Sequence, residues 1–270
     1  MHQPDLVFIT GTDTGVGKTL LAAMLLQHLR RNGCNALAMK PFCSGGRGDA
    51  RLLNRLQFQA LSMDDMNPFC FQEPLAPGVA ARIEGRTIRL AEAKARILAA
   101  RSRCARLLVE GAGGLLAPLG EGFTLLDLVQ ELGGQVVVVG PNRLGVINHV
   151  LLTVQLLQIK GIKRIKAVLM GQRREDRSAE SNPQVLAEIL WPVRVYTIPY
   201  LGEKALQSGA IERTAKKIKK TLALIFGIND LSDTATVEEA GGRTKLKKVK
   251  KTKKSFDSFG GDCRFTALLD

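Results

Sequence analysis

The sequence predicts an α/β fold in which helices cover both faces of a parallel β-sheet within a single domain. Short runs rich in Val, Leu and Ile alternate with longer amphipathic segments, which is the pattern of a parallel sheet and its connecting helices. The short runs are apolar on both faces, as strands are when helices pack on both sides of their sheet. The 270 residues, 45% of them hydrophobic, are enough for one domain with a sizeable core.

The short apolar runs predict six strands, at residues 6–10, 36–40, 106–110, 135–140, 165–170 and 194–198. The longer periodic segments predict six helices, at residues 18–31, 90–103, 124–132, 144–160, 182–190 and 209–226. Residues 42–89 show no strong period and are too long for a simple connection, so we expect them to be functional. Parallel strands joined by right-handed connections place their carboxyl ends at one rim, where ligands are expected to bind.

The net charge of +14 is unevenly distributed along the chain. Residues 241–270 hold nine basic and three acidic residues, so this segment alone carries +6. Apolar periodicity stops after residue 226, and we expect a folded domain at 1–226 and a polar linker with a disordered, lysine-rich tail at 227–270. Because much of the charge lies in that tail, we expect no specific nucleic-acid partner.

The chain is expected to be cytoplasmic, with no membrane partner. It shows neither a signal peptide nor an apolar run of the roughly 18 residues that a spanning helix needs. Its five cysteines include no CxxC pair, which favours reduced thiols over disulfides, and no histidine lies near them at the spacing of zinc ligands.

A glycine-rich segment follows the first predicted strand and opens the first helix. There, backbone N–H groups would face a phosphate, Lys18 would neutralise β- and γ-phosphate charge, and the Thr19 hydroxyl would bind Mg²⁺. The strict motif has glycine at position 12, whereas this chain has Thr12 with Gly11 one residue earlier. A glycine-rich turn without ligand is the alternative, but the context favours a nucleotide site in a P-loop NTPase-like sheet. The nucleotide contacts expected in this loop are Gly15, Val16, Gly17, Lys18, Thr19 and Leu20.

Four further polar residues are candidates for the same rim. Lys40 ends the second predicted strand and would hold a γ-phosphate or an anionic group of a substrate; the alternative is a solvated lysine. Ser44 precedes two glycines and is either a ligand or a turn residue. Glu110 ends an apolar strand, a position typical of an acid that holds Mg²⁺, and the glycines after it let the backbone approach a ligand. Asp49 is either another metal ligand or an ordinary helix cap.

Together these residues resemble the dethiobiotin synthetase family over about residues 6–226. The resemblance rests, in order, on Thr12-Asp13-Thr14-Gly15-Val16-Gly17-Lys18-Thr19, Lys40-Pro41 with Ser44-Gly45, Asn67-Pro68 leading to Glu73-Pro74 and Pro77, Val109-Glu110-Gly111-Ala112-Gly113-Gly114, and Leu144-Gly145-Val146-Ile147-Asn148-His149. Five motifs in order are far more specific than any one of them. The resemblance implies an enzyme of biotin synthesis that uses ATP and Mg²⁺ to join CO₂ to 7,8-diaminononanoate and close the ureido ring of dethiobiotin.

The resemblance also implies a route and a set of site residues. The route runs through a carbamate and a carbamic–phosphoric anhydride, releases ADP and phosphate, and needs no covalent enzyme intermediate. The residues implied around the carbamate and γ-phosphate are Thr14, Lys18, Lys40 and Ser44, those implied at Mg²⁺ are Thr19, Asp49 and Glu110, and further nucleotide contacts are Asp49, Glu110, Gly111, Ala112 and Gly113. Lys40 takes the part of the active-site lysine.

The family's active site lies at a homodimer interface. Gly113 and Asn148 would meet the substrate carboxylate there, with Asn148 coming from the neighbouring subunit; the alternative for Asn148 is an amide on a helix surface. The helix predicted at 144–160 should belong to the interface, because its apolar face exceeds one buried stripe. The residues of that face are Val150, Leu151, Val154 and Leu157.

Two positions depart from the family pattern. Many members contact adenine through an asparagine after the fifth predicted strand, where this chain has glycine and glutamine, and some have a glutamate in the phosphate loop, where this chain has Gly15. Both differences bear on nucleotide preference more than on the reaction, because neither removes a group expected at the triphosphate or the metal. The residues expected at the base are therefore Gly171, Gln172, Pro199, Tyr200 and Leu201.

Two other kinds of protein share parts of this pattern. A regulatory or partition ATPase with its tail on DNA would explain the charge. However, such ATPases have a second lysine five residues before Lys18, where this chain has Asp13. That interpretation would also leave Lys40, Ser44 and the motif around Asn148 without a role. A ligase such as cobyrinate diamide synthase shares the loop variant, but its added glutamine amidotransferase domain has no room here.

Overall fold

A computed structural model describes residues 5–226 of the chain. Its strands are β1 (Asp5–Gly11), β2 (Ala36–Met39), β3 (Phe42–Ser44), β4 (Phe69–Phe71), β5 (Arg106–Gly114), β6 (Gln135–Pro141), β7 (Ile165–Met170) and β8 (Arg194–Ile198). Six of them form one parallel sheet in the order β2-β5-β1-β6-β7-β8, while β3 and β4 pair separately. The predicted α/β fold and all six predicted strands are confirmed, although β2 stops at Met39 and β5 runs on to Gly114.

The strand order places a switch in direction at β1. The strands that follow it in the chain, β2 and β5, lie on one side, and the later strands β6, β7 and β8 lie on the other. Every residue of β6 is buried, which explains its run of four valines. In sheets of this kind, ligands bind at the carboxyl ends of the strands beside such a switch. The loop that leaves β1 is therefore the point where a ligand is expected.

The helices of residues 5–226 are α1 (Lys18–Arg31), α2 (Gly48–Leu56), α3 (Met63–Met66), α4 (Pro77–Ile83), α5 (Leu90–Arg101), α6 (Leu125–Leu132), α7 (Val146–Ile159), α8 (Ser178–Ile189), α9 (Ser208–Lys217) and α10 (Lys219–Phe226). Five predicted helices are confirmed with small differences at their ends. The sixth, at 209–226, is wrong as one helix, because Ile218 separates α9 from α10 with φ −102° and ψ 23°. The hydrophobic pattern does not reveal this break, since buried apolar residues continue through it.

Residues 42–89, in which the sequence shows no strong period, contain regular elements. They form β3, α2, α3, β4 and α4, each only three to nine residues long, which is too short for a period to be recognised. The strands β3 and β4 pair in parallel, and the rings of Phe42 and Phe69 stack on them with centroids 4.7 Å apart. This small sheet continues the chain from β2 at the rim where the candidate site residues lie.

The sequence also predicts a polar linker and tail after residue 226 and the absence of a membrane-spanning helix. The predicted linker and tail at 227–270 lie outside the described residues. Among residues 5–226, no helix combines the length and the apolar character needed to cross a membrane.

Candidate functional site

The phosphate loop joins the end of β1 to the start of α1. The Thr12 N–H donates to a backbone carbonyl of β6 (2.9 Å), which holds the loop against the sheet. Gly17 precedes α1 with a φ of 102°, a conformation that L side chains rarely adopt. Gly11 is required for space, since a Cβ there would lie 2.7 Å from the Asp13 carbonyl oxygen and 2.9 Å from Lys18 Nζ. The glycine at position 11, and not one at position 12, therefore makes room for the lysine.

Lys18 folds back over this loop. Its Nζ donates to the Asp13 carbonyl oxygen (2.8 Å), and its side chain is buried. Burial and the positive charge of Lys40 lower the pKa of Lys18 to about 8, although the carboxylates of Glu110, Asp13 and Asp49 oppose the shift. A phosphate bound beside Lys18 would favour its charged form and raise this pKa again.

Lys40 directly follows β2, and its ammonium group lies between two carboxylates. Nζ is 2.6 Å from Glu110 Oε1 and 2.8 Å from Asp49 Oδ2. The side chains of Lys40 and Glu110 are only 8% and 1% exposed. Burial alone would lower the pKa of Lys40, but attraction and hydrogen bonds to Glu110 and Asp49 raise it above its ordinary value. The alternative of a solvated lysine is therefore wrong.

The three residues expected to hold Mg²⁺ meet at this ion cluster of Lys40, Asp49 and Glu110. The Thr19 hydroxyl donates to Glu110 Oε1 (2.6 Å). Asp49 lies in the first turn of α2, whose N-cap is Arg47, so the helix-cap alternative for Asp49 is wrong. Burial opposes ionisation of Asp49, but Lys40 and Thr19 keep its pKa below the ordinary value. Glu110 Oε2 is buried and has no hydrogen-bond partner. Two carboxylates and a hydroxyl fit Mg²⁺, which takes its remaining oxygens from phosphate and water.

A cleft of about 1390 Å³ opens over the phosphate loop and the ion cluster. Its lining includes twelve of the predicted residues: Thr14, Gly15, Gly17, Lys18, Thr19, Leu20, Lys40, Ser44, Asp49, Glu110, Ala112 and Gly113. The Ser44 hydroxyl oxygen is buried without a hydrogen-bond partner, so it is available to a ligand. The cleft also has an apolar lining that the sequence analysis missed, formed by Leu116, Leu152, Leu156, Ile159 and Leu206. It can therefore take a molecule that has both anionic groups and a hydrocarbon portion.

Two predicted contacts lie just behind this lining. Val16 is buried under the phosphate loop, 6% exposed, and its side chain belongs to the core. Gly111 is required for packing, because a Cβ there would lie 2.6 Å from a methyl group of Leu125. At both positions only the backbone is suited to contact a nucleotide.

The residues expected at the nucleotide base lie after β7 and β8. The Gly171 N–H donates to the Ile198 carbonyl oxygen (2.7 Å), and a Cβ at Gly171 would lie 2.5 Å from the Tyr200 nitrogen. This close approach brings Gly171 against residues 198–200. Gln172 points back along its own segment, where its Nε2 donates to the Met170 carbonyl oxygen (2.7 Å). Tyr200 and Leu201 line a shallow depression that shares residues 202 and 203 with the large cleft.

Asn148 is exposed in the first turn of α7, and this helix begins to line the cleft one turn later, at Leu152. The prediction that the apolar face of α7 belongs to a subunit interface is wrong, because the core of this same chain already covers that face. Its residues are fully buried at Val150, Val154 and Leu157 and partly buried at Leu151. The apolar residues that α7 leaves in solvent are Leu152, which is 60% exposed, and Ile159, which is 79% exposed.

The fold and the site define a P-loop nucleotide-binding protein. A family model described as AAA domain matches residues 5–204. Similar solved structures include the MinC:MinD cell division protein complex of Aquifex aeolicus, with a TM-score of 0.53, 15% identity and coverage of 88% of this chain and 100% of that chain. The structure of a ParA family ATPase from Chlorobium tepidum TLS has a TM-score of 0.52 and 17% identity, and the match covers 84% of this chain and 98% of that chain. At such identities the likeness shows the fold alone.

Comparison of sequences defines the family more narrowly. The ATP-dependent dethiobiotin synthetase of Bacillus licheniformis is 37% identical to the chain, and the match covers 72% of this chain and 83% of that protein. The one from Anaeromyxobacter sp. strain K is 39% identical, and the match covers 76% of this chain and 96% of that protein. The one from Methanocaldococcus jannaschii is 41% identical over 62% of this chain and 79% of its own length. The chain belongs to the ATP-dependent dethiobiotin synthetase family and is an ATP-dependent ligase, which confirms the resemblance carried by the five motifs.

Proposed function

We propose that the protein inserts CO₂ into 7,8-diaminononanoate, at the expense of ATP, to form dethiobiotin, ADP and phosphate. The observation that carries this proposal is the meeting of Lys18, Lys40 and the two carboxylates at one end of a cleft that also has an apolar lining. Such a site suits a reaction that needs charge stabilisation and positioning more than a nucleophile and its base. The apolar lining suits the hydrocarbon chain of the diamine.

The reaction has three steps in this proposal. One amine of the substrate adds to CO₂ and gives a carbamate. A carbamate oxygen attacks the γ-phosphorus, the bond to the β-phosphate oxygen breaks, and ADP leaves. The second amine then attacks the carbonyl carbon, phosphate leaves, and the ureido ring closes. Negative charge accumulates on the transferred phosphoryl group in the second step, so cationic groups fixed beside it lower the barrier.

The chain's own residues supply these cations and donors. Lys18 and the loop N–H groups hold the β- and γ-phosphates, and Lys40 contacts the carbamate and γ-phosphate. The unpartnered hydroxyl of Ser44 and the exposed Thr14 lie at the same cleft, and a Cβ on Gly113 would be 3.8 Å from Thr14 Oγ1. Thr19, Asp49 and Glu110 would hold Mg²⁺, which when bound neutralises phosphate charge.

The nucleotide base is proposed to lie against Gly171 and the backbone of residues 199–201. Because Gln172 donates to the Met170 carbonyl oxygen, this side chain would have to rotate before it could contact a base. The base site therefore rests on backbone groups more than on this amide.

The direct test is to incubate the protein with 7,8-diaminononanoate, bicarbonate, Mg²⁺ and ATP. We expect dethiobiotin and ADP in equal amounts, measured by mass spectrometry and a coupled ADP assay, and neither without the diamine. ATP hydrolysis that DNA stimulates, with no product that depends on the diamine, would instead favour the partition-ATPase interpretation.

The active unit is expected to be a homodimer in which Asn148 serves the neighbouring active site. Sedimentation velocity should therefore give the mass of a dimer, and Asn148→Ala should lower turnover. When the impaired Lys40→Ala and Asn148→Ala proteins are mixed in equal amounts and allowed to exchange subunits, activity should rise toward about a quarter of the wild-type value, because half of the dimers are then mixed and each mixed dimer has one intact site. An active monomer, or no recovery after exchange is demonstrated, would contradict this arrangement.

The lysine-rich segment is expected to be dispensable for catalysis. A chain that ends at Gly241 should keep the turnover and melting temperature of the full chain, because seven closely spaced lysines are too costly to bury without partners. It should bind heparin or DNA more weakly at low salt, since it loses charges that neutralise phosphates. Loss of activity, or a fall of many degrees in melting temperature, would show that the segment packs on the folded domain.

A further inference from the structure

We propose that Asn67 is a positioning residue that holds the main chain of Lys40 so that its ammonium reaches the reacting phosphoryl group. This inference rests on the proposed function, because it gives Asn67 a role only if Lys40 acts in the reaction. Asn67 belongs to one of the five motifs, but neither the nucleotide site nor the metal site uses it.

The main chain at Lys40 is not paired with a strand of the large sheet. The last pair of residues between β2 and β5 is Met39 with Val109, so Lys40 lies one residue beyond the ladder. The next residue, Pro41, has no N–H to donate. Other contacts must therefore locate the backbone from which the Lys40 side chain extends.

Asn67 and its neighbour Met66 supply those contacts. Asn67 is 0% exposed, and its Nδ2 donates to the carbonyl oxygens of Lys40 (2.8 Å) and Pro41 (3.3 Å). The Lys40 N–H in turn donates to the Met66 carbonyl oxygen (3.1 Å). Both backbone polar groups of Lys40 are thus held by residues 66 and 67. The side chain of Asn67 therefore bonds to both residues of the turn that joins β2 to β3.

The position of this backbone matters because it sets where the Lys40 ammonium lies at the rim of the cleft. Its Nζ lies 2.6 Å from Glu110 Oε1, inside a buried cluster that also receives the Thr19 hydroxyl. A displacement of about 1 Å at a reacting group can cost about 10²-fold in rate. A change in the Lys40 backbone would therefore alter the chemical step more than it alters the binding of ATP, which depends on the phosphate loop.

The amide chemistry at position 67 is specific. Aspartate has the same shape but would direct acceptor oxygens at two carbonyl oxygens, and alanine would leave both carbonyls without this donor. The Asn67 Oδ1 has no hydrogen-bond partner. The hydrogen bonds of this side chain are therefore the two that its Nδ2 donates to the carbonyl oxygens of Lys40 and Pro41. Both substitutions should therefore disturb the turn at Lys40.

Asn54 offers a matched control. It is also a buried amide, 4% exposed, and its Nδ2 donates to a backbone carbonyl oxygen, that of Leu61 (2.9 Å). It lies at the end of α2 away from Asp49 and makes no hydrogen bond to Lys40 or Pro41. Its Oδ1 reaches β2 only through Gln57, whose Nε2 also donates to the Ala38 carbonyl oxygen, and that part of β2 is held by its pairing with β5. Asn54→Ala should therefore lower stability as Asn67→Ala does, while the sheet keeps the strand before Lys40 in place.

The experiment compares Asn67→Ala, Asn67→Asp and Asn54→Ala in kcat, KM for ATP and melting temperature. We expect both alanine variants to melt at lower temperature. Only the Asn67 variants should lose kcat, by about 10²-fold, with KM for ATP changed less than about threefold. In a Lys40→Ala background, Asn67→Ala should cause almost no further loss of kcat, because its effect passes through the missing ammonium.

Two results would overturn the role of Asn67. One is a kcat of Asn67→Ala equal to that of Asn54→Ala. The other is a further loss of kcat of about 10²-fold when Asn67→Ala is added to Lys40→Ala. If Asn67→Ala does not fold, the same comparison with Asn67→Asp decides the matter. Failure of the proposed function looks different. In that case the wild-type chain makes no dethiobiotin, or Lys40→Ala alone leaves turnover unchanged.

Discussion

Lys40→Ala is expected to lower turnover by about 10³-fold or more and also to destabilise the magnesium-free protein. The first effect follows from removing a cation that the transferred phosphoryl group needs more in the transition state than in the ground state. The second follows from the ion cluster, because the substitution leaves the buried Glu110 carboxylate without its partner at 2.6 Å. Breaking a buried pair in this way costs about 3 kcal/mol, which corresponds to a fall of roughly 10 °C in melting temperature.

The stability effect has its own signature. Mg²⁺ should raise the melting temperature of Lys40→Ala more than that of the wild type, because the ion can bind the two carboxylates that the lysine no longer neutralises. Lys94→Ala is the matched control, since its ion pair with Glu131 (2.8 Å) is largely exposed and contributes little. Unchanged turnover in Lys40→Ala would show that Lys40 is not the active-site lysine. Unchanged melting temperature would show that the buried pair with Glu110 does not form in solution.

Lys18→Ala is expected to lower turnover by about 10³-fold and to weaken ATP binding, because the loop loses the charge that faces the phosphates. Unlike Lys40, Lys18 makes its hydrogen bond to a backbone carbonyl and pairs with no buried carboxylate within hydrogen-bond distance. The melting temperature should therefore change little, or rise slightly as the repulsion from Lys40 disappears. A large fall in melting temperature, with normal ATP affinity, would contradict this role.

The pKa of Lys18 gives the same prediction a pH dependence. With a pKa of about 8 in the free protein, Lys18 loses its proton as the pH rises above that value, while bound phosphate favours the protonated form. Binding of ATP must then take up a proton, so the dissociation constant should rise by up to about tenfold per pH unit above pH 8. Calorimetry between pH 7 and pH 9.5 measures this, and Lys18→Ala should show a flat profile because it has no ammonium to titrate.

Much of the site could be predicted from the sequence because its motifs are local. The phosphate loop, Lys40 and Glu110 each lie at the end of a run of apolar residues that forms a buried strand. Parallel topology then brings such positions to one rim without any knowledge of side-chain contacts. The six strands and the phosphate loop were predictable for this reason.

Residues 42–89 were not predictable in the same way. Their elements are too short to show a period, and contacts distant in sequence hold them, such as the stacked rings of Phe42 and Phe69 and the bonds from Asn67 to the turn at Lys40. The face of α7 was misjudged for a related reason. Its apolar residues suit either a core or an interface, and the chain's own packing buries Val150, Val154 and Leu157.

The sequence by itself determined the fold class, the place of the phosphate loop and the kinds of groups at the rim, because these follow from patterns within a few residues. The tertiary structure alone decided which atoms meet. Lys40 reaches Glu110 across 70 residues of chain, and Thr19 reaches the same carboxylate across 91. Such contacts depend on strand register and on the packing of side chains in a dense interior, which no local pattern specifies.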